Sequence, residues 1–348
     1  MTDFRDGKNF GSGHDDGLEQ LEPLDLTGAT TVDALVRAMA NTAFGGRRLG
    51  EGADVLEAMI RDKDCFRVVT ISGAMTIAKQ GLILCEMIDR GWVDAVVTTG
   101  ALMTHGLVEG AGMQHFKHRQ SMNDEALFER GYNRIYDTIE LEQNLDDAEK
   151  LLRAALADVP SGTTLSSHFL LDRLGAYLNE NIPGRAILAS ATRRGVPVYV
   201  PAFTDSELGL DLSILNQIRE QNGQPRFPFD PYLDLDDFAD RVRDNETLGI
   251  FTIGGGVPRN WAQQVAPYLE IQRTRLGRDE PLRRYKYAVR ICPEPEHWGG
   301  LSGCSYTEGV SWGKFVPESE GGRFAEVFAD ATIAWPLIVR AVIERTEA

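Results

Sequence analysis

Phe66-Arg-Val-Val-Thr-Ile71 runs straight into Ser72-Gly-Ala, and then into a helical spacing through Met75, Ile77, Leu82, Ile83 and Met87. The same grammar returns at Val93-Asp-Ala-Val-Val-Thr-Thr99, which is followed by Gly100-Ala and a second apolar helix start. Pro197-Val-Tyr-Val-Pro-Ala-Phe203, Leu248-Gly-Ile-Phe-Thr-Ile253 and Tyr285-Lys-Tyr-Ala-Val-Arg-Ile291 repeat it. Strands that are apolar on both faces and separated by helices make a parallel sheet covered on both sides. The expected fold is therefore α/β, a Rossmann-like doubly wound parallel sheet with helices on both faces. Ligands of such sheets lie beyond the carboxyl ends of the strands. Small and polar residues cluster at those ends: Ser72-Gly73, Thr98-Thr99-Gly100, Thr204-Asp205 and Gly254-Gly255-Gly256.

Outward from the strands, residues 1–25 are rich in Asp, Gly and Glu and read as a mobile arm, leaving 26–348 as a single catalytic domain. Val32, Leu35, Val36 and Met39 have helical spacing behind a Thr30 or Thr31 cap. Asp146 to Leu156 is a charged helix, and Thr332 to Arg345 carries Ile333, Trp335, Leu337, Ile338 and Val342 as a closing one. The 348 residues are 43% hydrophobic, which supplies a substantial core. A net charge of -16 argues against a nucleic-acid partner and suits a polycationic one, although it also reads simply as a solubilising surface. Cys65, Cys85, Cys292 and Cys304 have no paired spacing, so neither a disulfide framework nor a zinc site is expected. With an acidic N-terminus and no apolar run near the ~20 residues that span a bilayer, a cytoplasmic protein is expected.

The chemistry concentrates in Glu308-Gly-Val-Ser-Trp-Gly-Lys314. A lysine beside an aromatic wall loses water, which disfavours its ammonium form. The free amine then attacks a carbonyl or imine carbon and holds the product as a Schiff base. Glu308 is placed to hold a cationic substrate, and Trp312 to wall it and attract it by cation–π contact. Taken locally, the stretch also reads as a surface lysine next to a buried tryptophan. Gly254-Gly-Gly, followed by Val257-Pro258, reads equally as a tight strand-to-helix turn or a phosphate cradle. Asp205 and Asp330 read as ribose acceptors or as helix N-caps. His105 and His297 stand as proton shuttles or packing residues. His115 and His118, at i and i+3 on an expected helix, could bind a metal; with no clear third ligand, no metal is expected.

The stretch ending at Lys314 resembles the active-site segment of the deoxyhypusine synthase family, usually Glu-Ala-Val-Ser-Trp-Gly-Lys. Thr42-Ala-Phe-Gly-Gly-Arg-Arg-Leu-Gly, Thr98-Thr-Gly, Gly131-Tyr-Asn-Arg-Ile, Pro201-Ala-Phe-Thr-Asp205, Gly254-Gly-Gly and Phe328-Ala-Asp-Ala-Thr332 fall in that family's order, over roughly residues 30 to 345. The resemblance implies NAD as cofactor, with Ser72, Gly73, Thr76, Thr98, Thr99, Gly100, Asp205, Gly254, Gly255, Asp330 and Ala331 around it. It implies oxidation of spermidine, loss of diaminopropane, an aminobutyl imine on Lys314, transfer to an acceptor amine and reduction by the retained NADH. It also implies a homotetramer with sites shared between subunits.

The departures bear on the substrate. Asn260 stands where the family has histidine, and Leu301 where it has aspartate. Leu210 stands at another acidic position, beside Asp211 and Glu207, and Thr104-His105 replaces a glutamate pair. Asn260, Asp211, His105 and His297 join Glu308 and Trp312 as expected substrate contacts. The altered carboxylates point to a small-amine acceptor such as putrescine, giving homospermidine. The alternative is a protein lysine of the hypusine-bearing translation factor. A silent NAD-binding partner would have no chemical need of Lys314, and an unrelated dehydrogenase would not require Trp-Gly-Lys.

Overall fold

The computed structural model describes residues 7, 10–73 and 75–347. The expected arm over residues 1–25 falls partly outside them. Its described part, from residue 10, contains no helix or strand and is mostly exposed. Thr31 caps α1 (Val32–Ala40), its side chain accepting from Ala34 N. The helix ends at Asn41, and α2 (Phe44–Arg61) starts afresh.

The expected strands appear as β1 (Cys65–Ile71), β2 (Ala95–Thr98), β6 (Val198–Tyr199), β7 (Thr247–Ile253) and β8 (Tyr285–Ile291). Sequence reading missed β9 (Arg323–Val327), where charged residues interrupt the apolar pattern. The six lie in the order β6-β2-β1-β7-β8-β9, every neighbouring pair parallel. The chain builds outward from β1 in one direction, then returns to start again from β1 on the other side. The order reverses between β1 and β7, and that junction opens a crevice at the carboxyl ends. Strand β6 is shorter than its apolar run because the amide of Val200 turns to the Ser167 hydroxyl, 2.8 Å away.

Helix α3 (Gly81–Asp89) joins β1 to β2, and between β2 and β6 lie α4 (Gly100–Gly110) and a small antiparallel sheet of β3 (Phe116–Lys117), β4 (Tyr132–Ile135) and β5 (Thr138–Leu141). Short α5 (Asp124–Glu129) leads into β4. Then come α6 (Glu142–Ala155), α7 (Ser167–Asn181) and α8 (Ile187–Arg194). His115 and His118 flank β3, so the helix expected to carry both does not form. Glycines at 110 and 112 end α4 first, Gly112 at a left-handed φ of 82°. Helix α9 (Glu207–Gln221) follows β6; α10 (Tyr232–Arg243) precedes β7; α11 (Gly256–Leu276) joins β7 to β8; α12 (Tyr306–Ser311) joins β8 to β9; and α13 (Ala331–Glu347) closes the chain.

Strand periodicity of two divides the core. Val69, Ile71, Phe251, Ile253, Val289 and Ile291 face one cluster, shared with α2 and α13. Phe66, Val68, Leu248, Ile250, Tyr285 and Ala288 face the other, shared with α10 and α11. Among the described residues, no helix is long and apolar enough to cross a membrane.

Arg345 closes the structure. Its side chain is 0% exposed and pairs with Asp33 on α1 and with Asp54 (2.7 Å) and Glu57 (3.1 Å) on α2. Burial works against the charge on Asp33, but Arg345 and Arg37 outweigh it and hold that carboxyl below its usual range. This contribution is therefore present above the ordinary aspartate pKa and is lost as acid protonates the folded form. Arg345→Met leaves three carboxylates facing one another and should lower stability by about 3 kcal/mol in urea unfolding at neutral pH. The loss should shrink toward pH 3.

Candidate active site

Lys314 is fixed from the backbone outward. Ser305 caps α12 by accepting from Glu308 N at 3.1 Å. The helix stops at Trp312, and Gly313 takes a left-handed φ of 69°, open to glycine at little steric cost. The chain then joins the sheet edge: Tyr285 N donates to Lys314 O, and Val316 N to Tyr285 O, both at 2.9 Å. Phe315 between them is buried against Tyr285, Tyr306 and Phe324.

The lysine is 8% exposed. Its amine donates to Asn260 Oδ1 at 3.4 Å and lies 5.8 Å from the centre of the Trp312 ring. Burial pulls its pKa down, Cys304 and Glu308 oppose this, and Arg259 reinforces it. The amine lines a cavity of about 360 Å³ with Asn260, Gln263, Glu296, Glu308 and Trp312. Two buried arginines carry one wall. Arg259 donates to the carbonyls of Leu301 (3.1 Å) and Cys304 (2.6 Å), and Arg290 donates to Ser302 O and to Cys304 O (3.1 Å). Reading the sequence missed both arginines. Arg290 sits inside an apolar strand, and a charge there is the signal that could have found it.

The second group gathers at the strand ends. Ser72 follows β1 and Gly254 follows β7, on either side of the reversal. Gly73 has a φ of 77° with open space where a Cβ would stand, and Gly254 has a φ of 80°. The Thr98 hydroxyl at the end of β2 is buried and lacks a hydrogen-bond partner. Thr99 caps α4, accepting from Leu102 N at 3.3 Å, and Gly100 begins that helix. Thr76 donates to Leu102 O at 3.0 Å, holding the β1 turn against α4. Asp330 accepts from Thr332 N at 2.7 Å just before α13, whose first residue is Ala331. Asp205 lies in the turn after β6. All three amides of the Gly254–Gly256 run are engaged within the protein: they donate in turn to Ile291 O (2.8 Å), the Ser72 hydroxyl (2.8 Å) and the Ser302 hydroxyl (3.1 Å). The crevice thus offers an open glycine turn, an unpaired threonine hydroxyl and the N-terminus of α4, a fit for a ligand bearing phosphate and hydroxyl groups.

Of the expected substrate contacts, Asn260, Glu308 and Trp312 meet Lys314 in one cavity; His105, Asp211 and His297 are not among its lining. His297 sits in a short 3₁₀ turn beside Trp298, one residue from the lining Glu296. His105 faces Glu140, with Nδ1 2.6 Å from a carboxylate oxygen. Asp211 is buried on α9, with one carboxylate oxygen unpaired. Burial, followed by Glu207, Glu149 and Asp146, pushes its pKa up to about 7.

A doubly wound α/β sheet that holds a desolvated lysine against a cavity is the framework on which the comparisons with known proteins bear. The sequence model of deoxyhypusine synthase matches residues 34–342. A probable deoxyhypusine synthase 2 of Methanosarcina acetivorans is 35% identical over 93% of this chain and 90% of its own. A deoxyhypusine synthase-like protein of Chlorobaculum parvum is 32% identical over 91% and 88%. A crystal structure of a putative deoxyhypusine synthase from Entamoeba histolytica superposes with a TM-score of 0.60 at 14% identity, covering 93% of this chain and 97% of that one, which supports the fold. The chain belongs to the deoxyhypusine synthase family, a family of transferases.

Asp211 gives a test of the acidic region beside α4. Its folded form keeps a proton to about pH 7, whereas an unfolded aspartate loses it near pH 4. Its contribution is therefore full below about pH 4 and is lost as pH rises through 7. Asp211→Asn should stabilise the chain by about 1–3 kcal/mol at pH 8 and by little at pH 4, read from urea midpoints.

Proposed function

We infer that this protein moves an aminobutyl group from a spermidine-like polyamine, through an imine on Lys314, to a small amine acceptor such as putrescine. The single observation that carries the reading is the Lys314 amine. It is buried, its pKa is drawn down, and it faces a cavity wide enough for an alkylamine chain beside a carboxylate and an indole. NAD would lie against Ser72, Gly73, Thr98, Thr99 and Gly254 at the strand ends, with Asp205 or Asp330 available to ribose hydroxyls. When bound, it supplies the oxidant for the donor amine and, in reduced form, the reductant for the product.

The residues of this chain do the rest. Glu308 holds an ammonium of the donor, and Trp312 keeps water from its methylenes. The neutral Lys314 amine attacks the oxidised carbon; a carbon–nitrogen bond forms there, and the bond to diaminopropane breaks as that amine leaves with a proton. An acceptor amine repeats the exchange and frees the lysine. Asn260 orients the nucleophile through its carbonyl oxygen without adding the charge that would keep the lysine protonated.

The small-amine acceptor is supported by a cavity poor in carboxylates. Glu296 and Glu308 line it, whereas Leu301, Asn260, Gln263 and Gln264 add none. A protein lysine is the second reading, favoured by the names of the relatives. A homotetramer belongs to either reading: Trp298, Leu301 and Trp312 are exposed apolar side chains in and beside the mouth, a surface suited to cover by another subunit.

Incubation with NAD and spermidine should release diaminopropane. Adding putrescine should yield homospermidine, whereas product only with a protein acceptor would overturn the small-amine reading. Borohydride should trap a fragment on the peptide containing Lys314, and Lys314→Ala should lower transfer by more than about 1,000-fold while NAD still binds. Asn260→Asp places an anion beside the amine and should raise its pKa. The acid limb of the pH–rate profile, along which the rate rises as the amine loses its proton, should move up by about one to three pH units, with slower turnover at pH 7.

A further inference from the structure

We propose that His105, His115 and Glu140 form a binding site for a divalent ion of the zinc type. The three side chains come from different elements: His105 from α4, His115 from the turn before β3, and Glu140 from β5. Their ligand atoms all lie within 4.8 Å of one another. His105 Nδ1 is 2.6 Å from one Glu140 oxygen, and His115 Nε2 is 3.1 Å from the other.

Those distances suit hydrogen bonds, but the directions do not. None of the four atoms makes a hydrogen bond of acceptable geometry, and all four are buried. Glu140 is 1% exposed, as is the His115 side chain. A buried carboxylate aimed at two ring nitrogens without capturing either proton is an expensive arrangement for a purely structural cluster. The ligand atoms are close enough together to share one ion.

The backbone around the cluster is set before any ion arrives. Asn144 donates to Gln114 O at 3.0 Å on one side of His115, and His118 N donates to Asp137 O at 2.8 Å on the other. Glu140 pairs with Asn133 in the β4–β5 ladder. Tetrahedral zinc with bonds of about 2.0–2.1 Å to nitrogen and oxygen separates its ligand atoms by about 3.4 Å, so the nitrogen–oxygen gaps of 2.6 and 3.1 Å need open by less than about 1 Å and the remaining distances, all within 4.8 Å, need close by no more than about 1.5 Å. Two imidazoles and one carboxylate are a donor set that zinc accepts, with a position left for water.

Lys79 is the competitor. Its amine lies 2.8 Å from His115 Nδ1 and 3.5 Å from Glu109, and its side chain is 45% exposed. An ammonium donating to Nδ1 sends the ring proton to Nε2, the atom that must bind the ion. Zinc therefore requires Lys79 to swing into solvent and Nδ1 to take up the proton. The ion would clamp the small antiparallel sheet to α4, whose first turn borders the β2 strand end.

The test uses the full, untagged chain, stripped with a chelator and titrated with zinc against a chromophoric competitor. One zinc per chain should bind. His105→Asn, His115→Asn and Glu140→Gln should each abolish that stoichiometric binding, and His118→Asn should leave it unchanged. Lys79→Met, which removes the competing ammonium at a side chain 45% exposed, should tighten it by on the order of tenfold. Absence of stoichiometric binding, binding that survives Glu140→Gln, or affinity unmoved or weakened by Lys79→Met would each overturn the site.

Discussion

The pairing of β1 with β7 is the constraint on which everything else rests. Seven residues of each strand align in parallel, from Cys65 beside Thr247 to Ile71 beside Ile253. Both strands are almost wholly buried. A parallel pair cannot be closed by a tight turn, so the chain between them must travel over the sheet and return. That long excursion builds β2, β6 and the helices between. The reversal it creates brings Ser72 and Gly254 together at one edge. The buried hydroxyls of Thr70 and Thr252 meet at 2.9 Å between the two strands, which satisfies a polar pair where no water reaches.

Much of this was legible in the sequence because burial on both faces removes ambiguity. Tyr285 to Ile291 is read with its observed bounds, and β1 and β7 each differ by one residue. The failures have local causes. Strand β9 alternates Arg323, Phe324, Ala325 and Glu326 at a sheet edge, so its pattern is half polar. The apolar run at Pro197 to Phe203 overstates β6, because a side-chain hydroxyl captures the backbone that would have continued the ladder. The expected pairing of His115 with His118 counted helical spacing across a segment where glycines had already ended the helix.

The site was legible to the depth of its local motif. Glu308, Trp312 and Lys314 lie within seven residues and converge in space, and Asn260 joins them from α11. Arg259 and Arg290 escaped notice because each acts through carbonyl groups of a loop that no residue pattern marks. Glu140 escaped because its meaning depends on two histidines placed by other elements. Contacts between distant segments are the part of a site that spacing cannot express.

The backbone on both sides of Phe315 is hydrogen-bonded to Tyr285, so the segment that carries Lys314 is in effect a short extra rung on the sheet. A fragment bound covalently to Lys314 would thus hang from the most rigid body in the molecule, free to pivot only along four methylenes. Donor and acceptor would each have to come to that fixed point in turn. The order of events would then follow from where the tether is anchored, with no large movement of the protein required between the two halves of the reaction.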